Sequence, residues 1–359
     1  MIPAESIQTI QAALPAPERR PGRVKIALAA SVAALAGTLL LAASLALTAH
    51  VRTRGMLWIE TTPPPPAGGA LAPQRVRLHL GNSVGALTAY FRRLDYRLID
   101  VRSGADVPRV FASALPRDFD ELQSVEQRKS LFLRTVLPLV LRENERLRGE
   151  RARLLAARAR LQAGAALDPD EREWLDDLAQ RYGTAPRDWE ALLRRVDSIP
   201  PSLALAQAAT ESAWGTSRFV REGNALFGMW TWSEDVPGIV PQERDDDARH
   251  RVRAFPTLEE SVRAYMRTLN THRAYREFRD RRAAQRRAHK HLSGLVLASE
   301  VSRYSEQREV YTVQLRSLIR GNGLQQLDRT ALGGDATDAV VAAAGVLGSP
   351  ALIAQEPGR

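Results

Sequence analysis

Between Ile26 and Ala49 the chain reads IALAASVAALAGTLLLAASLALTA, without one charged residue. About 20 consecutive apolar residues are enough to cross the hydrocarbon core of a bilayer, so this run predicts a transmembrane helix. A cleaved signal peptide has a shorter apolar core, of roughly 7–15 residues, and ends in a small-x-small site. Here the run is longer and ends in LTAHV, a poor site, so an anchor is the favoured reading, with a cleaved signal the alternative. Arg19, Arg20, Arg23 and Lys25 precede the run, and only Arg52 and Arg54 follow closely. That asymmetry places the N-terminus in the cytoplasm and the body outside. The expected topology is therefore a single pass, with the body outside the cytoplasm.

Thr61–Pro73, TTPPPPAGGALAP, contains four consecutive prolines and reads as a stiff extended spacer. The remaining chain is long enough for one or two domains. Its net charge of +10 comes almost wholly from arginine, since Lys25, Lys129 and Lys290 are the only lysines. Such a balance suits an anionic polymer, lipid or nucleic acid without choosing among them. Cysteine is absent, which excludes thiol catalysis, disulfides and cysteine metal sites. HKH at His289–His291 and His250 come with no metal-binding framework, and no phosphate-cradling glycine loop occurs. No metal, cofactor or nucleic-acid partner is expected. The arginine run His272–His291 reads best as a solvated helix face.

Most of the body has helical signals. VRLHLGNSVGALTAYFRRLDYRLIDVRSG mixes β-like alternation with a possible amphipathic helix. Ser124 with Gln127 forms a capping box before a long helix that Pro138 should kink or divide. Asp168-Pro169 opens another helix, with Glu171 in its first turn and Gly183 at its end. Trp189–Val196 has a helical period, and a further helix is expected from Pro201 to Trp214, stopped by Gly215. Phe227–Phe255 is rich in turn formers, and RDDDARHRVRAF within it reads as a short hairpin. Thr257 and Glu260 make a second capping box, and Val262, Tyr265, Met266 and Leu269 share one face of the helix behind it. The last helix spans about Glu306 to Arg320 and ends at Gly321, and the tail beyond Leu327 is expected to be mostly disordered.

Within the Pro201–Trp214 helix, Glu211 falls in the final turn. The helix dipole there disfavours an ionised carboxylate. Trp214 would share its face and desolvate it, raising its pKa further. Both effects favour a carboxyl still protonated near neutral pH, which is what a general acid requires. The same logic describes the raised glutamate of lysozyme, a well-known case of pKa tuning. A helix-end glutamate is ordinarily a surface residue, but LALAQAA before it is apolar enough to be buried.

The stretch ALAQAATESAWGTSRFVREGNALFGMW, Ala204–Trp230, resembles the glucosaminidase family that cleaves bacterial cell-wall glycan, glycoside hydrolase family 73, which includes the flagellar rod-assembly hydrolases. Within it, the sequence is most similar to the Bax-type branch of membrane-anchored proteins of Gram-negative bacteria. The pattern is carried by Glu211, Ser212, Trp214, Gly215 and Ser217, then by Asn224, Leu226, Phe227 and Gly228. RVRAFPTLEESVRAYMRTL and RYSEQREVYTVQLRSLIRGNGL extend the likeness to about Ile199–Leu324, and ENERL adds a weaker match upstream. The resemblance implies a mainly α (α+β, lysozyme-like) catalytic domain with a small β-hairpin lobe, preceded by a helical region and the transmembrane helix. It implies an endo-β-N-acetylglucosaminidase that cleaves peptidoglycan strands between N-acetylglucosamine and N-acetylmuramic acid, with Glu211 as the acid. Tyr304 matches the family tyrosine near the reaction centre. Trp214, Ser217, Asn224, Phe227 and Trp230 would shape the sugar cleft, although Phe227 equally suits core packing. A second carboxylate is expected in the β excursion. Glu234, Asp235, Glu243 and Asp245–Asp247 are candidates and Glu243 lies nearest, unless the substrate's N-acetyl group replaces it.

The expected organisation is a basic cytoplasmic segment 1–25, the anchor 26–49, a Pro-rich linker 50–75 and a mostly helical accessory region 76–184. The glucosaminidase domain 185–325 and a low-complexity tail 326–359 follow. A lytic transglycosylase and a non-catalytic, membrane-anchored peptidoglycan-binding scaffold are the alternatives.

Overall fold

The computed structural model describes residues 74–81, 83–242, 249–304, 308–334 and 337–344. The expected anchor and linker lie outside the described residues, and among those described no helix is long and apolar enough to cross a membrane. The elements in chain order begin with β1 (Gln74–Gly81), α1 (Val84–Arg93), α2 (Leu98–Arg102), β2 (Val110–Ala112) and α3 (Val125–Gln162). They continue with α4 (Pro169–Tyr182), α5 (Trp189–Arg195), α6 (Pro201–Glu211) and α7 (Arg218–Gly223). Three short strands follow, β3 (Trp230–Thr231), β4 (Gly238–Ile239) and β5 (Arg251–Arg253). The chain closes with α8 (Leu258–Thr271), α9 (Arg276–Arg287), α10 (Gly294–Leu297), α11 (Arg308–Gly321) and β6 (Thr337–Ala344). The described chain is thus mostly helical, with β3, β4 and β5 forming a small antiparallel sheet in the order β3-β5-β4.

Local capping sets several helix starts as expected. The hydroxyl of Ser124 accepts from the Gln127 amide, that of Thr257 from the Glu260 amide, and the Asp168 carboxylate from the Glu171 amide. Gly183 closes α4 with φ 62°, a left-handed conformation that glycine adopts without steric cost. Pro138 does not divide α3, which runs through it as one helix. The lost amide donor is outweighed by burial on both sides, since Leu137, Leu139, Val140 and Leu141 are all in the core.

One hydrophobic core runs from Leu87 to Leu332, so residues before and after Ile199 pack together. At its centre is α6, in which every residue from Pro201 to Ala209 is buried. No local side chain caps its start. Instead Asp328, from the turn after α11, accepts from the Ser202 amide (2.8 Å), the Ser202 hydroxyl (2.9 Å) and the Gly294 amide (3.0 Å). This carboxylate satisfies the orphan donors and complements the positive helix end. ENERL, in α3, clamps the approach to the same helix. Asn144 donates to the Ile199 carbonyl (2.7 Å) and accepts from its amide (2.9 Å).

Three expectations are corrected. The arginine run is not simply a solvated face, because Arg279 and Arg282 of α9 are buried. Arg282 donates to the carbonyls of Arg194, Asp197 and Ser198 and to Asn270 Oδ1. Burial pulls its pKa down to about 10, with Asp197 opposing, so the guanidinium stays charged at neutral pH. Asp197 is itself pushed up by burial, but Arg282, Arg286 and Arg151 outweigh this and hold it below the usual range. The tail beyond Leu327 is not without structure, since β6 lies between β1 and β2 in a parallel sheet, with Val110 opposite Ala339. Its short apolar run, AVVAAA, suits a parallel strand, which needs no alternating pattern. The hairpin expected in RDDDARHRVRAF is also different: β5 takes its partners from β3 and β4 upstream, and 243–248 lie outside the described residues.

Candidate active site

Glu211 is the last residue of α6, three residues earlier than the helix end expected at Trp214. The stop is made by backbone strain. Ala213, Trp214 and Gly215 take φ of 50°, 56° and 86° in succession, and only glycine does so freely. Each of the first two costs of order 1–3 kcal/mol. Ser212 holds the turn, its hydroxyl donating to the Ala208 carbonyl (2.6 Å) and accepting from the Gly215 amide (3.0 Å). Gly215 has a second reason to be glycine: a Cβ there would stand 2.7 Å from Leu115 Cδ1 and 2.8 Å from Phe119 Cε1.

The turn carries Trp214 off the helical face that it was expected to share with Glu211. Its ring meets Phe132 edge-on, with centroids 5.8 Å apart, and Lys129 Nζ lies 5.1 Å above it. The neighbours that set the chemistry of Glu211 are tyrosines. Tyr311 donates its hydroxyl to Glu211 Oε1 (2.8 Å), Gln207 donates to the Tyr311 oxygen (3.0 Å), and Tyr265 donates to Gln207 Oε1 (2.8 Å). Gln207 lies one helical turn before Glu211. Tyr304 donates to the Phe227 carbonyl (2.6 Å), and its ring stacks on Tyr311 at 6.3 Å and 6°. Tyr275 lies 6.4 Å from the Tyr304 ring.

Burial pushes the Glu211 carboxyl above its ordinary range, and the hydrogen bond from Tyr311 opposes part of that rise. Burial and, after it, the negative charge of Glu211 raise the phenols in turn, Tyr275 to about 12. These hydroxyls therefore act as neutral donors at physiological pH. On its other side Glu211 faces backbone: a Cβ on Gly228, at φ 57°, would lie 3.6 Å from Oε2. Glu211 as a whole is only partly buried.

A profile described as "Mannosyl-glycoprotein endo-beta-N-acetylglucosaminidase" matches residues 187–324. The chain is 34% identical over 220 residues to "Protein bax" of Escherichia coli K12, covering 59% of this chain and 75% of that protein. The chain belongs to the glucosaminidase family. A solved structure, the catalytic domain of the autolysin Auto from Listeria monocytogenes, is 20% identical and covers 48% of this chain and 95% of that one, with a TM-score of 0.25. Family membership supports glycoside hydrolase activity.

The other residues assigned from the family resemblance fall into three groups. Asn224 and Phe227 are structural parts of the glucosaminidase scaffold. The buried Asn224 amide donates to the carbonyls of Phe255 (3.1 Å) and Pro256 (3.2 Å), and Phe227 is fully buried, stacked on Tyr265 at 3.9 Å. Ser217 caps α7 by accepting from the Phe219 amide (3.2 Å). Trp230 alone of these residues offers a wide open ring. It is 55% exposed, stacked on His250 at 4.5 Å, and flanked by Trp232, 66% exposed. Two exposed tryptophans, one on β3 and one just after it, are unusual for surface residues and form a ledge suited to sugar rings. Trp232, His250, Tyr265, Tyr275, Tyr311 and Gln207 were not assigned to the sugar site from the sequence.

Glu243 and Asp245–Asp247 lie outside the described residues, while Glu234 and Asp235 are exposed between β3 and β4. Among the described residues no cluster of His, Asp and Glu could hold a metal ion.

Proposed function

We propose that this protein hydrolyses the β-1,4 bond between N-acetylglucosamine and N-acetylmuramic acid in peptidoglycan, with Glu211 as general acid. The observation that carries this reading is the carboxyl of Glu211, raised by burial and steadied by the Tyr311 hydroxyl on a residue that stays partly exposed. Protonated Glu211 gives its proton to the glycosidic oxygen as the C–O bond breaks. Water then adds to the oxocarbenium-like sugar and restores a proton to the site, leaving a reducing N-acetylglucosamine end. The Trp230–Trp232 ledge holds neighbouring sugars. The apolar run Ile26–Ala49 supports an inner-membrane anchor with this body in the periplasm.

A lytic transglycosylase is the second reading. It is favoured by one feature: among the described residues the hydrogen-bond partner of Glu211 is a phenol rather than a second carboxylate. Digestion of purified sacculi by the full chain, followed by reducing-end labelling and mass spectrometry of the products, separates the two. Reducing N-acetylglucosamine ends support the hydrolase, whereas anhydro-muramic ends establish the transglycosylase. Binding without release by a folded protein would make it a scaffold.

A further inference from the structure

A cleft of about 790 Å³ is not lined by Glu211. One of its lining residues is Met229, the residue after Gly228. A Cβ on Gly228 would lie 3.6 Å from Glu211 Oε2, so the residue preceding Met229 in the chain adjoins the acid. One wall is the lobe, with Met229, Arg253 and Phe255, and the other is α8, with Arg263 and Arg267. Arg146 of α3 and Arg181 of α4 complete it, so five guanidinium groups face a single lining carboxylate, Glu260.

Three of these arginines are already committed. Arg146 pairs with Glu143 and Glu150, Arg181 with Glu150, and Arg263 with Glu143 and Glu259. Arg253 and Arg267 stand on opposite walls, and no carboxylate partner is seen for either among the described residues. Arg267 donates to the Arg181 carbonyl (3.2 Å), and the Arg253 guanidinium lies 4.7 Å from the Phe255 ring. The braced arginines hold the positive field in place, and among the described residues these two carry no carboxylate that an incoming anion would have to displace. Arginine suits a carboxylate because its planar fork donates two parallel hydrogen bonds.

Between the arginines the lining is apolar, supplied by Leu147, Met229, Phe255 and Ala264. A fully charged phosphate polymer would gain nothing from it. A short peptide with carboxylates on an aliphatic frame matches both features. Resting on the peptidoglycan reading above, we propose that this cleft recognises the carboxylate-bearing peptide branches of the strand cleaved at Glu211. Arg253 and Arg267 are its specificity-determining residues, and the enzyme selects peptide-substituted over bare glycan.

The test is equilibrium binding by the full-length protein of two soluble glycan fragments of equal length, one carrying peptide branches and one stripped by an amidase. The free peptide is a third ligand. The expected result is at least tenfold tighter binding of the substituted fragment, measurable binding of the peptide alone, and a preference that shrinks towards unity in Arg253→Gln/Arg267→Gln. The variant's melting temperature confirms that it folds, and Arg267→Lys should restore part of the preference. Equal binding of both fragments by the wild type would overturn the peptide-binding cleft and leave the glycan reading standing. Peptide binding without binding of stripped glycan would uphold the cleft and count against the glycan reading. Binding of none of the three ligands would overturn both.

Discussion

The helical wall around Glu211 and the three-stranded lobe opposite it are built on opposite principles. In the wall, α6 is sequestered from Pro201 to Ala209, and its ends are tied by Asp328, Asn144 and the strained turn after Glu211. The lobe has strands of two or three residues and leaves Trp230, Trp232 and Val240 about half exposed or more. A proton donor needs a fixed position and a low-dielectric setting, which burial provides. A sugar platform needs an accessible face, which burial would remove. The same chain thus divides its stability and its substrate contacts between two regions.

The largest expected effect that would break this division is at Arg282, buried on the wall side. Arg282→Ala leaves the carbonyls of Arg194 and Ser198 without their side-chain donor and removes a buried positive charge beside the Asp197 carboxylate. It should cost about 3–5 kcal/mol, read by urea unfolding, and a cost under 1 kcal/mol would remove this arginine from the core argument. In the lobe the order reverses. Trp230→Ala with Trp232→Ala should weaken glycan binding by roughly 30-fold, in line with aromatic stacking energies of order 1 kcal/mol per ring, while global stability changes by at most about 0.5 kcal/mol. Unfolding of the protein by this pair would show that the lobe belongs to the core.

A finer effect comes from Tyr311. Its hydrogen bond lowers the Glu211 pKa against the rise due to burial, so Tyr311→Phe lets that pKa climb. The acid works protonated and is lost as pH rises through its pKa, so the basic limb of the pH–rate profile should move to higher pH. The maximal rate should fall by about 5-fold, the worth of one hydrogen bond of ~1 kcal/mol. A basic limb that stays in place would separate Tyr311 from the titration of the acid. The smallest effect is on stability. Because the folded pKa of Glu211 is raised, its favourable contribution is complete below the ordinary carboxylate pKa and disappears as pH rises through the folded value. Glu211→Gln should therefore raise the melting temperature at pH 7.5 and do so less at pH 4, as read by calorimetry.

What the sequence revealed of this comparison follows the range of the interactions. Ser124, Asp168 and Thr257 announce their helices because each cap closes within three residues. The apolar face of α8 is equally local. The tyrosine cage is not, because Tyr265, Tyr275, Tyr304 and Tyr311 meet Glu211 only after α6, α8 and α11 have packed. The family pattern pointed to Tyr304, but the hydroxyl that reaches the acid belongs to Tyr311, one helical segment further on. The helix stop was misplaced because alanine and tryptophan give no local signal of a left-handed backbone, whereas Gly215 does. Arg279 and Arg282 looked solvated in an arginine-rich run, and the burial of Arg282 depends on carbonyls supplied some 85 positions earlier in the chain. Trp230 was visible within the family motif, and its exposed partners became visible only when β3 and β5 paired.

The most direct measurement is the initial rate of reducing-end release from sacculi by the wild type and by Glu211→Gln, each first shown to be folded at the assay temperature. A general acid contributes typically 10²–10⁴-fold, so the variant should be slower by at least ~100-fold while still binding the sacculi. A folded variant that releases ends within a fewfold of the wild-type rate would contradict the assignment of Glu211 as the proton donor.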